Sequence, residues 1–512
     1  MRVPLVTSDF LDRAAFCYGR RTGVVDEPEP FQDGGLGSLT YADLADRAAS
    51  LAAGLDELGV GVGERVAVVS QNSARLLELL LGGTASGRIV VPVNFRLSRS
   101  EVAYIVEHSG ASLLLVDPEV DEALSSVTAR HRYVLGKESD AALLRPGTMP
   151  VAWEPDENAT ATINYTSGTT ARPKGVQITH RNIWTNAVTF ALHAGVSDRD
   201  VYLHTLPMFH CNGWGMPFAM AGMGVPQVVI RKIDGADILR RVQRYGVTVM
   251  CCAPAVVSAV LEALPTWEGE VPGRDQVRVI CAGAPPPSRV IARVEAELGW
   301  EFTQIYGLTE TSPLLTVNRR RAEEDALPAE QSAKRLARAG MPAIGCKIAI
   351  SPDGEVLVRS NVIMQGYWEQ PDATDAALED GWFHTGDGGE IDDEGYLSIK
   401  DRKKDVIITG GENVSSIEVE DCLFSHPAVA EVAVIGVPDD RWGETIKALV
   451  VLVEGGTADE AELIGHCKSR LAGYKAPTSI EFRELIPRTA TGKVQKFKLR
   501  QQYWAGRDRL VN

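Results

Sequence analysis

"YTSGTTARPKGV", residues 165–176, is the stretch on which the reading of this chain turns. A serine, three threonines, two glycines, an arginine and a lysine stand between apolar ends. Backbone N–H groups of such a turn can converge on phosphate oxygens, the hydroxyls add donors, and Lys174 supplies a point charge. The spacing differs from the common phosphate loop, G-x-x-x-x-G-K-[ST], because Pro173 precedes the lysine and Gly175 follows it. Taken alone, a Ser/Thr/Gly run also describes an ordinary polar turn. The stretch begins inside "ATINYTS" (161–167), a β-favouring run, so it lies beyond the carboxyl end of an expected strand. In parallel α/β sheets that is where ligands bind.

Outward from this loop, strands and helices alternate. "LTYADLADRAASLAAGLDELGV" (39–60) sets Leu44, Leu51, Leu55 and Leu58 on one helical stripe, with Thr40 as its N-cap. "RVAVVS" (65–70), "RIVVPVN" (88–94), "SLLLVD" (112–117), "GVTVMCCAP" (246–254) and "QVRVICAGAP" (276–285) read as short buried strands, and "SARLLELLLGG" (73–83) as a helix. The alternation predicts an α/β protein of parallel sheets with packed helices. The pattern changes at the charge cluster 400–405. Beyond it "EVAVIGV" (431–437), "KALVVLV" (447–453) and the helix-like "ADEAELIGHCKSRLAGY" (458–474) predict a small α+β unit. A boundary close to Lys404 therefore divides a domain 1–403 from a domain 404–512.

Composition narrows the function. At 512 residues the chain needs more than one core. With 52 basic and 68 acidic side chains it carries a formal charge of −16, which disfavours nucleic acid or an anionic membrane as a main partner. A local basic cleft inside that envelope would suit a small anionic ligand. Eight scattered cysteines form no C-x-x-C and no zinc-like spacing with histidine, and read as small apolar residues in a reducing compartment. The opening "MRVPLVTSDFLDRAAF" has no long apolar run, and no stretch reaches the length of a membrane span. A soluble, cytoplasmic protein without integral membrane association is expected, and a homodimer would be unsurprising.

Four further strings carry chemistry. "QIYGLTETS" (304–312) offers Tyr306, whose ring can stack on a base, and Glu310, a hard oxygen ligand suited to Mg²⁺; an exposed Glu in a strand-to-turn segment is the alternative. "GWFHTGD" (381–387) ends in Asp387, which could accept from a ribose diol or simply close a turn. "KDRKKDVIITGGENVSSIEVE" (400–420) sets a dense charge run against a strand, a Gly-Gly turn and an amphipathic helix; it is either a solvated face or a domain joint near a bound anion. "PRTATGKVQKFKLR" (487–500) places Lys493 on a Thr-rich, glycine-flanked loop or on a basic tail.

In this order, and over nearly the whole chain, the strings resemble the adenylate-forming superfamily of acyl-CoA and aryl-CoA ligases, luciferases and adenylation domains of peptide synthetases. The resemblance implies a large N-terminal domain of stacked β-sheets and helices, hinged to a small mobile C-terminal domain. Thr166, Ser167, Gly168, Thr169, Thr170 and Lys174 would then hold the β and γ phosphates of ATP. Tyr306 would stack on adenine beside Gly283, Ala284 and Pro285, while Asp387 and Arg402 would grip the ribose. Thr309 would contact the α-phosphate, and Glu310 with Thr166 would take part in binding Mg²⁺. Lys404 matches the family hinge, and Lys493 the lysine that enters the site for adenylation. Gly410, Gly411, Glu412 and Asn413 would help shape the thiol channel for CoA as co-substrate. "PMFHCNGW" (207–214) resembles the segment bordering the acyl pocket, with His210 as a gate; a core or metal histidine is the other reading. The following "FAMAGMG" (218–224) suits close helix packing.

The implied reaction joins a small carboxylic acid to CoA through an acyl-adenylate, with pyrophosphate and then AMP released. Ala171 stands where many relatives have glycine, which its Cβ tolerates only at negative φ. Asn413 stands where some long-chain enzymes carry a gating tryptophan, which favours a medium-chain or aromatic acid. The alternatives are a non-CoA acceptor, either a carrier-protein thiol or an amine, activation of nitrite for diazotisation, and a non-catalytic nucleotide-binding relative.

Overall fold

Short apolar runs bounded by turn residues become strands buried on both faces, as a parallel sheet covered by helices requires. The computed structural model of the chain describes residues 1–27, 35–166, 172–283, 286–402, 405–409, 412–439, 442–489 and 494–504, with the backbone alone at 401, 402 and 413. Among the described residues the strands form sheets of nine, seven, four and five.

The seven-stranded sheet grows from Arg65–Val69, which pairs in parallel with Ile89–Val93 on one side and Ala111–Val116 on the other. Beyond Ile89–Val93 lies Thr160–Thr166, then the antiparallel Lys174–Thr179 and Gly366–Tyr367. The period of two is visible in its packing. Val66 and Val68 face one core, while Ala67 and Val69 face another with helix Arg99–Ser109.

The nine-stranded sheet has a parallel centre, with Tyr202–His204, Val249–Cys252, Arg278–Cys281 and Glu301–Gly307 side by side. The core between the two large sheets is filled by helices Ser8–Tyr18, Tyr41–Glu57, His180–His193 and Met216–Met223. Helix Tyr41–Glu57 begins with a capping box from Thr40 and buries Leu44, Leu51 and Leu55; Leu58 falls just past its end, half-buried. The expected helix at 73–83 forms as an α-turn, Ala74–Glu78, continued by a wider π-turn, Leu79–Gly83. In "FAMAGMG" the close packing is literal: a Cβ on Gly222 would come within 2.7 Å of the Phe10 ring.

A four-stranded antiparallel sheet, Lys347–Ile350, Glu355–Arg359, Phe383–Ile391 and Leu397–Arg402, has its own small core. The C-terminal five-stranded sheet packs Val432, Val434 and Ala448 on one face and Ala433, Ile435 and Leu449 on the other. The architecture is therefore α/β, a large N-terminal body of stacked sheets and helices with a small α+β C-terminal domain. The two parts meet where Asp421 of helix Ser416–Phe424 accepts hydrogen bonds from the backbone and hydroxyl of Ser288. All eight cysteines are free and six are buried. No helix among the described residues is long and apolar enough to cross a membrane.

His204 sits fully buried in the centre of the nine-stranded sheet, its Nε2 2.8 Å from Gln227 Oε1. Burial lowers its pKa to about 4, against the opposing pull of the Gln227 hydrogen bond. As pH falls from about 6.5 to about 4, the unfolded chain takes up a proton that the folded chain refuses. Stability is therefore lost across that window, by on the order of 3 kcal/mol. The drop in Tm between pH 7 and pH 4.5 should be smaller in His204→Gln than in the unaltered chain; an equal drop would show that another group controls it.

Candidate active site

The segment 165–176 is a β-hairpin. Thr160–Thr166 returns as Lys174–Thr179, with Thr166 opposite Lys174 and Tyr165 opposite Gly175. The β-branched residues of "ATINYT" and "VQIT" support this ladder, and Pro173 is tolerated because it stands just before the second strand. A common phosphate loop opens directly into a helix, whose N–H groups then face the anion. Here the chain first makes a strand, and a helix begins only at His180. Lys174 itself opens the second strand and puts an ammonium at this end of the hairpin.

Helix Arg99–Ser109 braces both ends of the hairpin connection. His108 Nδ1 lies 2.8 Å from the Tyr165 hydroxyl, the Tyr104 hydroxyl donates to the Pro173 carbonyl at 3.4 Å, and the Arg172 guanidinium lies over the Tyr104 ring. Burial raises the Tyr165 pKa, so its hydroxyl stays neutral.

Lys174 Nζ stands 4.7 Å from the centroid of the Tyr367 ring. The Tyr367 hydroxyl donates to Glu310 Oε1 at 3.0 Å. Burial, and next the Glu310 carboxylate, push the Tyr367 pKa up, so the hydroxyl keeps its proton and the carboxylate keeps a donor. One residue thus joins the lysine of the hairpin to the expected metal-binding carboxylate. Sequence reading missed Tyr367. Its signal was the string "QGYW" (365–368), which has meaning only once Gly366–Tyr367 is seen to extend the hairpin's sheet.

Glu310 lies in a tight turn, Thr309–Thr311, directly after strand Glu301–Gly307. Gly307 is required there, since a Cβ would come within 1.5 Å of the Pro313 carbonyl oxygen. Tyr306, on the same strand, donates to Asp387 Oδ2 at 2.7 Å. Asp387 is buried and stands opposite Arg402 across the antiparallel pair Phe383–Ile391 and Leu397–Arg402. Gly283, at φ +93°, follows strand Arg278–Cys281 at its carboxyl end. Three sheets therefore contribute: the seven-stranded one gives Thr166, Lys174 and Tyr367, the nine-stranded one Tyr306, Thr309 and Glu310, and the four-stranded one Asp387.

His210 precedes a helical turn, Cys211–Trp214, that is wound left-handed. Cys211, Asn212, Gly213, Trp214 and Gly215 have φ of +46°, +54°, +58°, +59° and +77°. For a non-glycine residue this conformation costs about 1–2 kcal/mol, so surrounding contacts must hold it. Phe209, one residue before His210, packs edge-to-face on Phe95 at 5.8 Å.

Ser167, Gly168, Thr169, Thr170, Ala284, Pro285, Lys404, Gly410, Gly411 and Lys493 lie outside the described residues, as does Ala171. The side chains of Arg402 and Asn413 lie outside them too, while Glu412 is an exposed residue opening strand Glu412–Val414. Thr166 and Glu310 supply hydroxyl and carboxylate oxygens, a hard donor set that fits Mg²⁺.

A hairpin lysine, a tyrosine-bridged carboxylate and a tyrosine–aspartate pair are thus gathered where three sheets meet. The chain belongs to the AMP-binding enzyme family: that family's sequence model matches residues 11–368, and the AMP-binding enzyme C-terminal domain matches residues 418–493. It is thus an ATP-dependent, AMP-forming ligase. It is 37% identical to 2-methylpropanoate–CoA ligase CCL4 of Humulus lupulus, over 97% of this chain and 95% of that one. Among solved structures it resembles the o-succinylbenzoate CoA synthetase of Bacillus subtilis in complex with its acyl-adenylate, with a TM-score of 0.82, 30% identity, and 96% and 97% of the two chains covered. It also resembles the amide bond synthetase McbA of Marinactinospora thermotolerans, with a TM-score of 0.83, 26% identity, and 97% and 100% of the two chains covered.

Tyr367→Phe removes the donor to Glu310 but keeps the ring beneath Lys174. In acid-dependent ATP–pyrophosphate exchange, kcat/KM for ATP should fall about 10- to 100-fold. Tyr367→Leu, which also removes the ring, should fall further. Equal rates in Tyr367→Phe and the unaltered chain would show that the bridge is not used.

Proposed function

We propose that the chain is an acid–CoA ligase acting on a medium-chain or aromatic carboxylic acid. The observation that carries this reading is the Lys174–Tyr367–Glu310 chain, which puts a cation and a hard carboxylate at one end of the site, with Tyr306, on the strand leading into the Glu310 turn, bonded to Asp387 of the four-stranded sheet. One relative named above acts by its name on an aromatic acid, o-succinylbenzoate, which supports the aromatic part of this class, and another on the four-carbon 2-methylpropanoate, shorter than a medium-chain acid.

In the first half-reaction a carboxylate oxygen attacks the α-phosphorus of ATP. The bond from that phosphorus to the bridging oxygen breaks, and pyrophosphate leaves with the electron pair. Thr166, Ser167, Gly168, Thr169, Thr170 and Lys174 hold the leaving phosphates, and Thr309 holds the α-phosphate. Tyr306, with Gly283, Ala284 and Pro285, takes adenine; Asp387 and Arg402 take the ribose. Mg²⁺, held by Thr166 and Glu310, would neutralise phosphate charge when bound. Charge building on the phosphoryl oxygens is met by Lys493 and fixed N–H donors, whose positioning supplies most of the rate. In the second half-reaction the CoA thiol loses its proton and its sulfur attacks the acyl carbonyl. The carbon–oxygen bond to AMP breaks and AMP leaves.

One lysine cannot occupy the first site and leave room for a thiol in the second, so the small domain, 404–512, turns about Lys404 between the two. Gly410, Gly411, Glu412 and Asn413 then line the thiol path, with His210 as a gate on the acid side. The likeness to an amide bond synthetase favours one second reading, the same adenylation with an amine as acceptor. The cytoplasm is the compartment we infer, supported by the eight free cysteines.

Incubation with ATP, Mg²⁺ and a panel of acids, with and without CoA, should release pyrophosphate and AMP and yield an acyl-CoA for at least one medium-chain or aromatic acid. Pyrophosphate exchange that ignores CoA but yields an amide when an amine is added would establish the second reading instead. Lys493→Ala should slow adenylation by at least about 100-fold while largely sparing thioester formation from preformed acyl-adenylate. Equal loss in both half-reactions would contradict the turning domain.

A further inference from the structure

Between strand Tyr202–His204 and helix Met216–Met223 the chain has no regular structure except the left-handed turn after His210. Its backbone is hung from buried amide side chains. Asn72 donates to the carbonyls of His204 (2.9 Å) and Leu206 (3.0 Å) and accepts from the Met208 N–H (2.7 Å). Asn186 donates to the Trp214 carbonyl at 3.0 Å and accepts from the Leu314 N–H at 3.1 Å. Asn212, inside the turn, donates to Thr162 Oγ1 at 2.8 Å and accepts from Asn164 Nδ2 at 3.2 Å. Each of these asparagines is buried.

Asn212 combines two properties. Asparagine adopts the left-handed backbone more readily than other non-glycine residues. Its amide also ties the turn to Thr160–Thr166, the strand that ends in the phosphate hairpin. On the other side, Cys211 Sγ lies 3.9 Å from the Thr309 carbonyl oxygen, next to Glu310. A single strained turn, one residue beyond His210, is thus in contact with both the hairpin strand and the Thr309–Thr311 turn.

We propose that Asn212 is a positioning residue that sets the acid-side wall, His210 to Gly215, in register with the nucleotide; this deepens the acid–CoA ligase reading and rests on it. The hairpin has supports of its own in Tyr104, His108 and Tyr367. Loss of the Asn212 amide therefore unties the acid wall from the hairpin strand, leaving Asn186 and Asn72 to hold it, while the ATP side stays in place. A displacement of the reacting carboxylate by an ångström is enough for a large loss of rate.

The test is ATP–pyrophosphate exchange by the full chain, with ATP and each of several acids varied in turn. Asn212→Ala should raise KM for the acid about 10- to 100-fold while KM for ATP moves less than about twofold, and should shrink the ratio of kcat/KM between best and worst acids at least about fivefold. Asn212→Gly, which keeps the positive φ but not the amide, should fall between. Thr162→Val removes the amide's acceptor without altering side-chain shape, and should raise acid KM at least about threefold even if Asn212→Ala fails to fold. Acid and ATP KM moving together in the folded variants, or kcat falling with acid KM and selectivity unchanged, overturns the role of Asn212. Absence of exchange in the unaltered chain overturns the ligase reading and this inference with it.

Discussion

The hydrogen bond from Tyr367 to Glu310 is where the two large sheets are joined at the site. Glu310 belongs to the turn after a strand of the nine-stranded sheet, and Tyr367 to the edge of the seven-stranded one. With Lys174 over the same ring, the tyrosine sets the distance between a cation and an anion that come from different sheets. A half-buried carboxylate gains from a fixed donor, so the neutral phenol both bonds Glu310 and holds it in orientation. Strand Glu301–Gly307 of the nine-stranded sheet brings in Tyr306, and through it Asp387 of the third sheet.

That arrangement explains why the chain uses a hairpin where other nucleotide enzymes use a helix N-terminus. A helix dipole gives a fixed positive end worth a fraction of a charge. A hairpin keeps Thr166 and Lys174 on adjoining strands, and it leaves a sheet edge on which Gly366–Tyr367 can add. The edge strand is what carries the bridging tyrosine. Tyr104 and His108 then hold the described residues on either side, Pro173 and Tyr165.

Much of the fold was legible. The strands at 65–69, 89–93 and 249–252 declared themselves as short apolar runs, and Thr40 announced the helix it caps, because these are local patterns of burial and capping. The small domain followed from the composition change after the charge cluster at 400–405. The site was legible as a set of strings rather than as an arrangement. Tyr306 and Asp387 were singled out separately, and nothing in either string implied that one hydroxyl would meet the other's carboxylate across 81 residues of sequence. Tyr367 went unnoticed for the same reason, since its partner is 57 residues away and its strand is only two residues long.

By itself the sequence determined which segments are strands and helices, where hydroxyls, glycines and a lysine suited to phosphate are concentrated, and the family to which the chain belongs. Those properties are carried by neighbours in the chain, through periodicity, capping and turn-forming residues. Only the tertiary structure decided that Thr160–Thr166 returns as Lys174–Thr179 in a hairpin, that Tyr367 links Lys174 to Glu310, and that the turn after His210 winds left-handed. Each of these depends on groups far apart in sequence: a ladder partner, a ring beneath an ammonium, or a buried asparagine holding a strained backbone. Such contacts exist only after the sheets have stacked.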